Sequence, residues 1–179
     1  MHYIIFDLEA TCWEDRAMGP NETIEIGAVR VNEARQIESE FQAFIRPKVH
    51  PQLSTFCQSL TSITQANVDS ANSFPTVAEE FKAWIGVAAQ DYRLCSWGHY
   101  DKKQLERDCA LHGMDPTWVA PHLSLKHQYA QFKHLRRPTG MKQALEAEGL
   151  PLRGTHHRGI DDARNIAQIF LRCFDDWTF

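Results

Sequence analysis

The sequence predicts an α/β fold with a mixed central sheet, its first three strands antiparallel, flanked by helices. Two observations lead there. The first 46 residues contain three stretches of strand-like pattern joined by turn residues, and everything after Pro51 shows helical spacing interrupted by short apolar runs.

Residues 2–9 form the first expected strand, rich in apolar side chains, and residues 23–32 the second. The turn-prone Met18-Gly19-Pro20-Asn21 separates them. Residues 36–46 alternate, with Ile37, Phe41, Ala43 and Ile45 on one face and Glu38, Glu40, Gln42 and Arg46 on the other. The spacing predicts a half-buried third strand closing an antiparallel meander. Beyond Pro47 and Pro51, Phe56 and Leu60 are four apart. Ser73-Phe74-Pro75-Thr76 opens a helix carrying Val77, Phe81, Trp84 and Ile85. Residues 92–97 are a short fourth strand, and a helix follows from Asp101 to His112, stopped by Gly113. Further helices are expected over 122–133, 140–148 and 161–174. The 179 residues suit a single domain, 1–179.

Composition narrows the class. The chain is 43% apolar and 11% aromatic, which is enough for a core and excludes disorder. No apolar run is long enough to cross a membrane, and Met1 leads straight into the first strand, so a cytoplasmic protein without membrane partners is expected. Five cysteines without C-x-x-C spacing point to free thiols rather than disulfides or structural zinc. The net charge of −4 argues against a non-specific nucleic-acid coat, though bound cations would change the local balance.

Several acids stand at telling positions. Asp7 and Glu9, two apart on a strand, share one face and repel unless a cation lies between them. Taken alone, the pair reads rather as two exposed acids on an edge strand. Asp101 heads a helix whose buried stripe continues through Leu105 and Cys109, but an acid there also suits the helix dipole. Asp161 and Asp162 are adjacent, and helical phase separates them. Asp162 continues into Ile166, Ile169, Phe170 and Cys173, whereas Asp161 continues into Arg164, Asn165, Gln168 and Arg172. Asp162 therefore faces inward and needs a partner. His157 precedes it in a Gly- and His-containing loop, a placement that suits a general base, although nothing but context separates it from the other histidines.

Taken together, these residues resemble the DEDD exonuclease superfamily. Its D-x-E motif stands as Phe6-Asp7-Leu8-Glu9, its second acid lies in Ser96-Trp97-Gly98-His99-Tyr100-Asp101, and its H-x-x-x-x-D motif runs from His157 to Asp162. Arg158 stands where the sister branch has tyrosine, so the chain resembles the histidine branch. Phe6 to Cys12, Leu53 to Thr64 and His157 to Ala167 are similar to the Eri-type branch, which holds the histone-mRNA 3′ exonuclease and KapD-like proteins. The likeness covers residues 2–175.

The resemblance implies a ribonuclease-H-like fold and a metal-dependent 3′→5′ exonuclease acting on single-stranded ends, RNA favoured over DNA, and releasing 5′-mononucleotides. It implies two divalent ions, Mg²⁺ or Mn²⁺, about 4 Å apart. Asp7, Glu9 and Asp162 would ligate one ion, with Asp7 bridging to a second bound by Asp101 largely through water. His157 would take the proton of the attacking water. Thr11, Phe56, Leu60 and Tyr100 would contact the terminal nucleotide, with Tyr100 in place of a tryptophan; core packing is the other reading of Phe56 and Leu60. The histone-mRNA enzyme has an RNA-binding region before its first strand, so its stem-loop specificity is not expected to carry over.

One charge asymmetry lies outside these motifs. No acid occurs between Asp115 and Glu146, while Lys126, Lys133, Arg136, Arg137 and Lys142 do, interleaved with Tyr129 and Phe132. This is either a track for a phosphate backbone or a solvated basic face. A DNA 3′ exonuclease and a KapD-like regulatory module that works through a protein partner are the alternative functions. The complete acid set speaks against the module.

Overall fold

The computed structural model describes residues 1–15 and 18–179. Six strands form one sheet in the order β4-β3-β2-β1-β5-β6. The strands β1 (His2–Ala10), β2 (Thr23–Asn32) and β3 (Ile37–Arg46) are antiparallel neighbours. The strand β4 (Asn72–Ser73) lies parallel to β3, β5 (Tyr92–Ser96) parallel to β1, and β6 (His122–Ser124) parallel to β5. The expected meander and mixed sheet are present. The pair Asp7 and Glu9 does not sit on an edge, because β1 is flanked by β2 and β5.

Helices cover both faces. Ile4, Phe6 and Leu8 of β1 pack with α3 (Phe74–Ile85) and α4 (Tyr100–His112). Tyr3 and Ile5, on the other face, pack with α5 (Leu125–Phe132), α6 (Met141–Ala147) and α7 (Gly159–Arg172). The short helices α1 (Thr55–Thr61) and α2 (Gln65–Asp69) cover a smaller cluster around Ile24, Leu53, Cys57, Ile63 and Val68. Asp7 and Glu9 alternate with the even-numbered core residues, so they lie on the sheet face that α7 crosses.

Two local expectations need correction, and two short elements were not expected at all. The segment 122–133 starts as a strand, since His122–Ser124 extends the sheet beside β5 before the helix begins at Leu125. The helix α2 and the two-residue strand β4 are too short to leave a periodic signal. Ile37 is 53% exposed, because Val31 pairs with Ile37 while Arg30 pairs with Ser39. The extra residue in β3 turns Ile37 out of phase with Phe41, Ala43 and Ile45.

The helix α7 comes unusually close to the sheet at its first turn. Gly27, opposite Asp7 in the β1–β2 register, has no side chain, and a Cβ there would lie 2.0 Å from the Ile160 amide nitrogen. Gly159 meets it from above, with room for a Cβ only 3.1 Å from the Asp7 carbonyl. Position 27 admits no side chain at this distance and position 159 is tight for one, and the approach brings the following turn of α7 over Asp7 and Glu9.

Candidate active site

The structure brings five of the sequence-selected groups to one cleft of about 400 Å³ that is lined by Asp7, Glu9, Asp101, His157 and Asp162, together with Tyr100. Carboxylate oxygens of Asp7, Glu9 and Asp162 all lie within 4.8 Å of one another. Glu9 and Asp162 are 7% and 5% exposed, and Asp7 is half-buried. Such acids repel. Burial, and after it Asp101, Glu9 and Asp162, holds the Asp7 carboxyl well above its ordinary range. Burial, then Asp162 and Glu25, pushes Glu9 up to about 8. This all-oxygen, mutually repelling donor set fits a hard divalent cation, which would relieve the repulsion.

Asp101 lines the cleft but lies outside that close triplet. Burial pushes it up to about 6, while the neighbouring Ser96, whose hydroxyl donates to the Gly98 carbonyl at 3.2 Å, lowers it. Ser96 is itself braced by Nε2 of His122 at 3.0 Å. His122, whose burial lowers it to about 4, is neutral at pH 7.

Helical phase separates Asp161 from Asp162 as expected. Ile166, Ile169 and Phe170 are buried with Asp162, whereas Asp161 pairs with Arg164 at 3.1 Å and accepts the Thr155 amide at 2.9 Å. Asn165 departs from its assigned polar stripe. It is fully buried and bonds Arg153 twice, with its carbonyl accepting the Arg153 N–H and its amide donating to the Arg153 carbonyl. The side chain thereby clamps the loop before α7.

Both histidines of that loop reach the cleft. Nδ1 of His156 lies 3.0 Å from Oδ1 of Asp162, while the His157 backbone N–H donates to Oδ2 at 3.0 Å. His157 takes a left-handed backbone, φ 64°, a costly conformation for a side chain of this size. Its ring is 4.0 Å from that of His156. Burial, then His156, lowers its pKa, so the neutral imidazole prevails near pH 7.

Glu25 and Arg158 are a feature the sequence reading missed. Glu25 faces Glu9 in the register and is fully buried. Its carboxylate accepts from Arg158 Nε and Nη2, both at 3.2 Å, from the Gly159 amide at 3.0 Å, and from Gln42 at 2.7 Å. A fifth acid beside the cluster is thereby neutralised, and the start of α7 is tied to β2. A glutamate within the apolar run Thr23 to Val29 was the available signal. Trp97, within a motif already singled out, also lines the cleft and donates to the Thr139 carbonyl at 3.1 Å.

The nucleotide contacts divide. Tyr100 is 50% exposed and lines the cleft. Phe56 and Leu60 are each 38% exposed on α1, so core packing does not account for them. Phe56 lines a neighbouring hollow with Cys12 and Trp13 rather than the carboxylate cleft. Thr11 does not offer its side chain to substrate. It is buried, with its hydroxyl accepting the Glu22 amide at 2.9 Å.

The basic stretch divides too. Lys133 is paired with Glu148 at 2.7 Å and is withdrawn from any track. Arg136, Arg137 and Lys142 are exposed and Lys126 half-buried, and among the described residues none has an ion-pair partner. Lys142 follows Met141, a cleft residue, and is near enough to His157 to lower its pKa.

A mixed sheet with β2 antiparallel to its other strands, carrying carboxylates beneath the head of a crossing helix, defines a nuclease domain of the DEDDh, ribonuclease-H-like class. The chain belongs to the exonuclease family, whose RNase_T model matches residues 4–170. It is 35% identical to human 3′-5′ exoribonuclease 1 over 181 residues, covering 96% of this chain and 52% of that protein. It is 33% identical to human ERI1 exoribonuclease 2 over 198 residues, covering 98% of this chain and 28% of that protein. The chain thus spans between about a quarter and half of these relatives. The nuclease domain of 3′hExo bound to rAMP, described as a DEDDh family member, superposes with a TM-score of 0.91 at 34% identity, over 98% of this chain and 92% of that one. The 3′-exonuclease in a structure of histone mRNA stem-loop recognition gives 0.92 at 33% identity, over 98% of this chain and 64% of that one. Such a fold carries divalent-metal dependence, and Asp7, Glu9 and Asp162 form an acidic group that could hold the ion.

Proposed function

We propose that this chain is a 3′→5′ exoribonuclease that shortens single-stranded RNA from its 3′ end and releases 5′-mononucleotides. The observation that carries the reading is the convergence of Asp7, Glu9 and Asp162 within 4.8 Å in an open cleft that also holds Asp101 and His157. The names of the relatives favour RNA over DNA.

Asp7, Glu9 and Asp162 would hold one divalent ion, and Asp7 and Asp101 a second, either Mg²⁺ or Mn²⁺. When bound, such ions supply an activated water and stabilise the charge on the leaving oxygen. The ring of His157 makes no hydrogen bond among the described residues, so its neutral nitrogen is available to accept the water's proton. His156 has Nδ1 committed to Asp162. Tyr100 offers an aromatic face to the terminal base, with Phe56 and Leu60 beyond it on α1. Lys142, Arg136 and Arg137 attract the phosphates of the incoming strand, with Lys126 contributing more distantly.

The test is degradation of matched 5′-labelled RNA and DNA strands with Mg²⁺, with Mn²⁺ and with chelator. Stepwise shortening of RNA from the 3′ end, abolished by chelator, is expected. Activity that survives chelator, or internal cuts that appear first, would refute the reading; equal cutting of DNA would refute the RNA preference.

A further inference from the structure

Asp162 belongs to two groups of metal-ligating atoms. One is the all-oxygen set with Asp7 and Glu9. The other is His156, His157 and Asp162, whose ligand atoms also lie within 4.8 Å of one another. We propose that the second group is a site for a borderline transition metal, Zn²⁺ above all, and that filling it draws Asp162 away from the carboxylate set.

The ligand atoms, within 4.8 Å of one another, would draw in to about 3.3 Å around one ion. Zinc binds imidazole nitrogen and carboxylate oxygen at about 2 Å, in a tetrahedron. The two rings are 4.0 Å apart, and Nδ1 of His156 is already 3.0 Å from Oδ1 of Asp162. Three protein ligands would leave the fourth position open to water in the cleft. The loop is held in place before any ion arrives. Asn165 clamps Arg153, Asp161 holds the Thr155 amide, and Asp162 Oδ2 holds the His157 amide. Holding the ligands in advance removes part of the ordering cost of binding.

The chemistry sorts the cations. Imidazole favours zinc, copper and nickel, whereas carboxylate and water favour magnesium and manganese. The two groups therefore select different ions while competing for one aspartate. A filled histidine site also occupies the ring nitrogen of His157. On the nuclease reading above, Zn²⁺ is then an inhibitor that Mg²⁺ displaces poorly. The binding claim itself does not depend on that reading.

The experiment is calorimetric titration of the metal-free protein with Zn²⁺, with Co²⁺ absorbance as a second readout, and without nucleic acid. One tight site is expected, weakened at least about tenfold by His156→Ala and by His156→Gln, since even an outer partner of a ligand is worth that much. Mg²⁺ affinity, which loses only an outer partner of Asp162, should fall by clearly less than Zn²⁺ affinity in both variants, and an unchanged thermal melt shows that each is folded. Zn²⁺ affinity unaltered by both substitutions, or lost instead on Cys12→Ser, would overturn the site. In the activity arm, each protein is normalised to its own zinc-free rate. Half-inhibition should move to higher Zn²⁺ in His156→Ala by the same factor. Histidine-dependent binding without inhibition would overturn the shared-aspartate consequence. Absence of any nuclease activity would refute the preceding proposal and leave the binding result to decide this one.

Discussion

Gly27 on β2 and Gly159 at the head of α7 face each other with no side chain between them, and that contact sets Asp162 above Asp7. A methyl group on Gly27 would overlap the Gly159 carbonyl carbon at 2.1 Å and the Ile160 nitrogen at 2.0 Å, both of them backbone. Backbone cannot rotate away as a flexible side chain can, so α7 must lift. Gly27→Ala is expected to cost at least the 1–3 kcal/mol or so typical of overpacking and to weaken Mg²⁺ binding. Thermal melts and Mg²⁺ titration check this. A variant with unchanged melting and Mg²⁺ affinity would show that the contact is not what positions the helix.

The two aspartates of α7 should differ sharply. Asp162→Asn is expected to lower the rate by more than about 100-fold, beyond what an outer partner of a metal ligand is worth. Asp161→Asn removes a half-exposed ion pair with Arg164 and should stay within about tenfold of the parent, as surface pairs contribute little. Single-turnover rates with intact folding decide it. Equal losses would count against the separation by helical phase.

On the proposed reading His157 takes the water's proton only when neutral, so the rate should rise with pH through its pKa. Burial and the neighbouring His156 lower that pKa from the ordinary 6.5, so the rise should fall on the acid side of the ordinary histidine range. His157→Ala is expected to cost about 10²–10⁴ in rate and to abolish this limb of the profile. His156→Ala should cost much less. Single-turnover rates across pH 5–9 at saturating Mg²⁺ test both, and the larger loss in His156→Ala would exchange the two roles.

The hydroxyl of Ser96 lowers the pKa of the neighbouring Asp101. Without that hydroxyl the acid holds its proton to a higher pH. Ser96→Ala should therefore shift the acid side of the Mg²⁺-binding curve upward in pH, leaving affinity above pH 8 nearly intact. An unmoved curve would place the hydroxyl's effect elsewhere.

Metal and pH should be linked through Glu9. Its folded pKa, about 8, exceeds its ordinary 4.5. Between those values the folded chain binds more protons than the unfolded one, so the metal-free protein loses stability as pH rises through this window. On the proposed reading a cation reverses that loss, because the ionised carboxylate would be its ligand. The rise in melting temperature on adding Mg²⁺ should be larger at pH 8 than at pH 6, and binding at pH 7 should release protons. Calorimetry in two buffers of different ionisation enthalpy measures the release, and none would contradict the assignment.

The sequence by itself determined the strand meander, the fold class and the inward phase of Asp162. These follow from periods of two and 3.6 residues, which are local properties of the chain. The resemblance of its motifs to a known family marked Asp7, Glu9, Asp101 and His157, which their spacing alone left open. Tertiary structure alone decided what those residues meet. That β1 is central rather than an edge depends on β5 lying down beside it, with His2 paired to Tyr92 and Ile5 to Cys95, 90 residues later. The bond between Arg158 and Glu25, the bracing of Asp101 through Ser96 and His122, and the withdrawal of Lys133 by Glu148 join residues from different elements. So does the nearness of His156 to the carboxylates, because phase places its neighbour Asp162 but not the path of the loop. Charge and hydrogen bonding act across space, with no period along the chain, and only the folded arrangement reveals which acid is neutralised and which are left to share a cation.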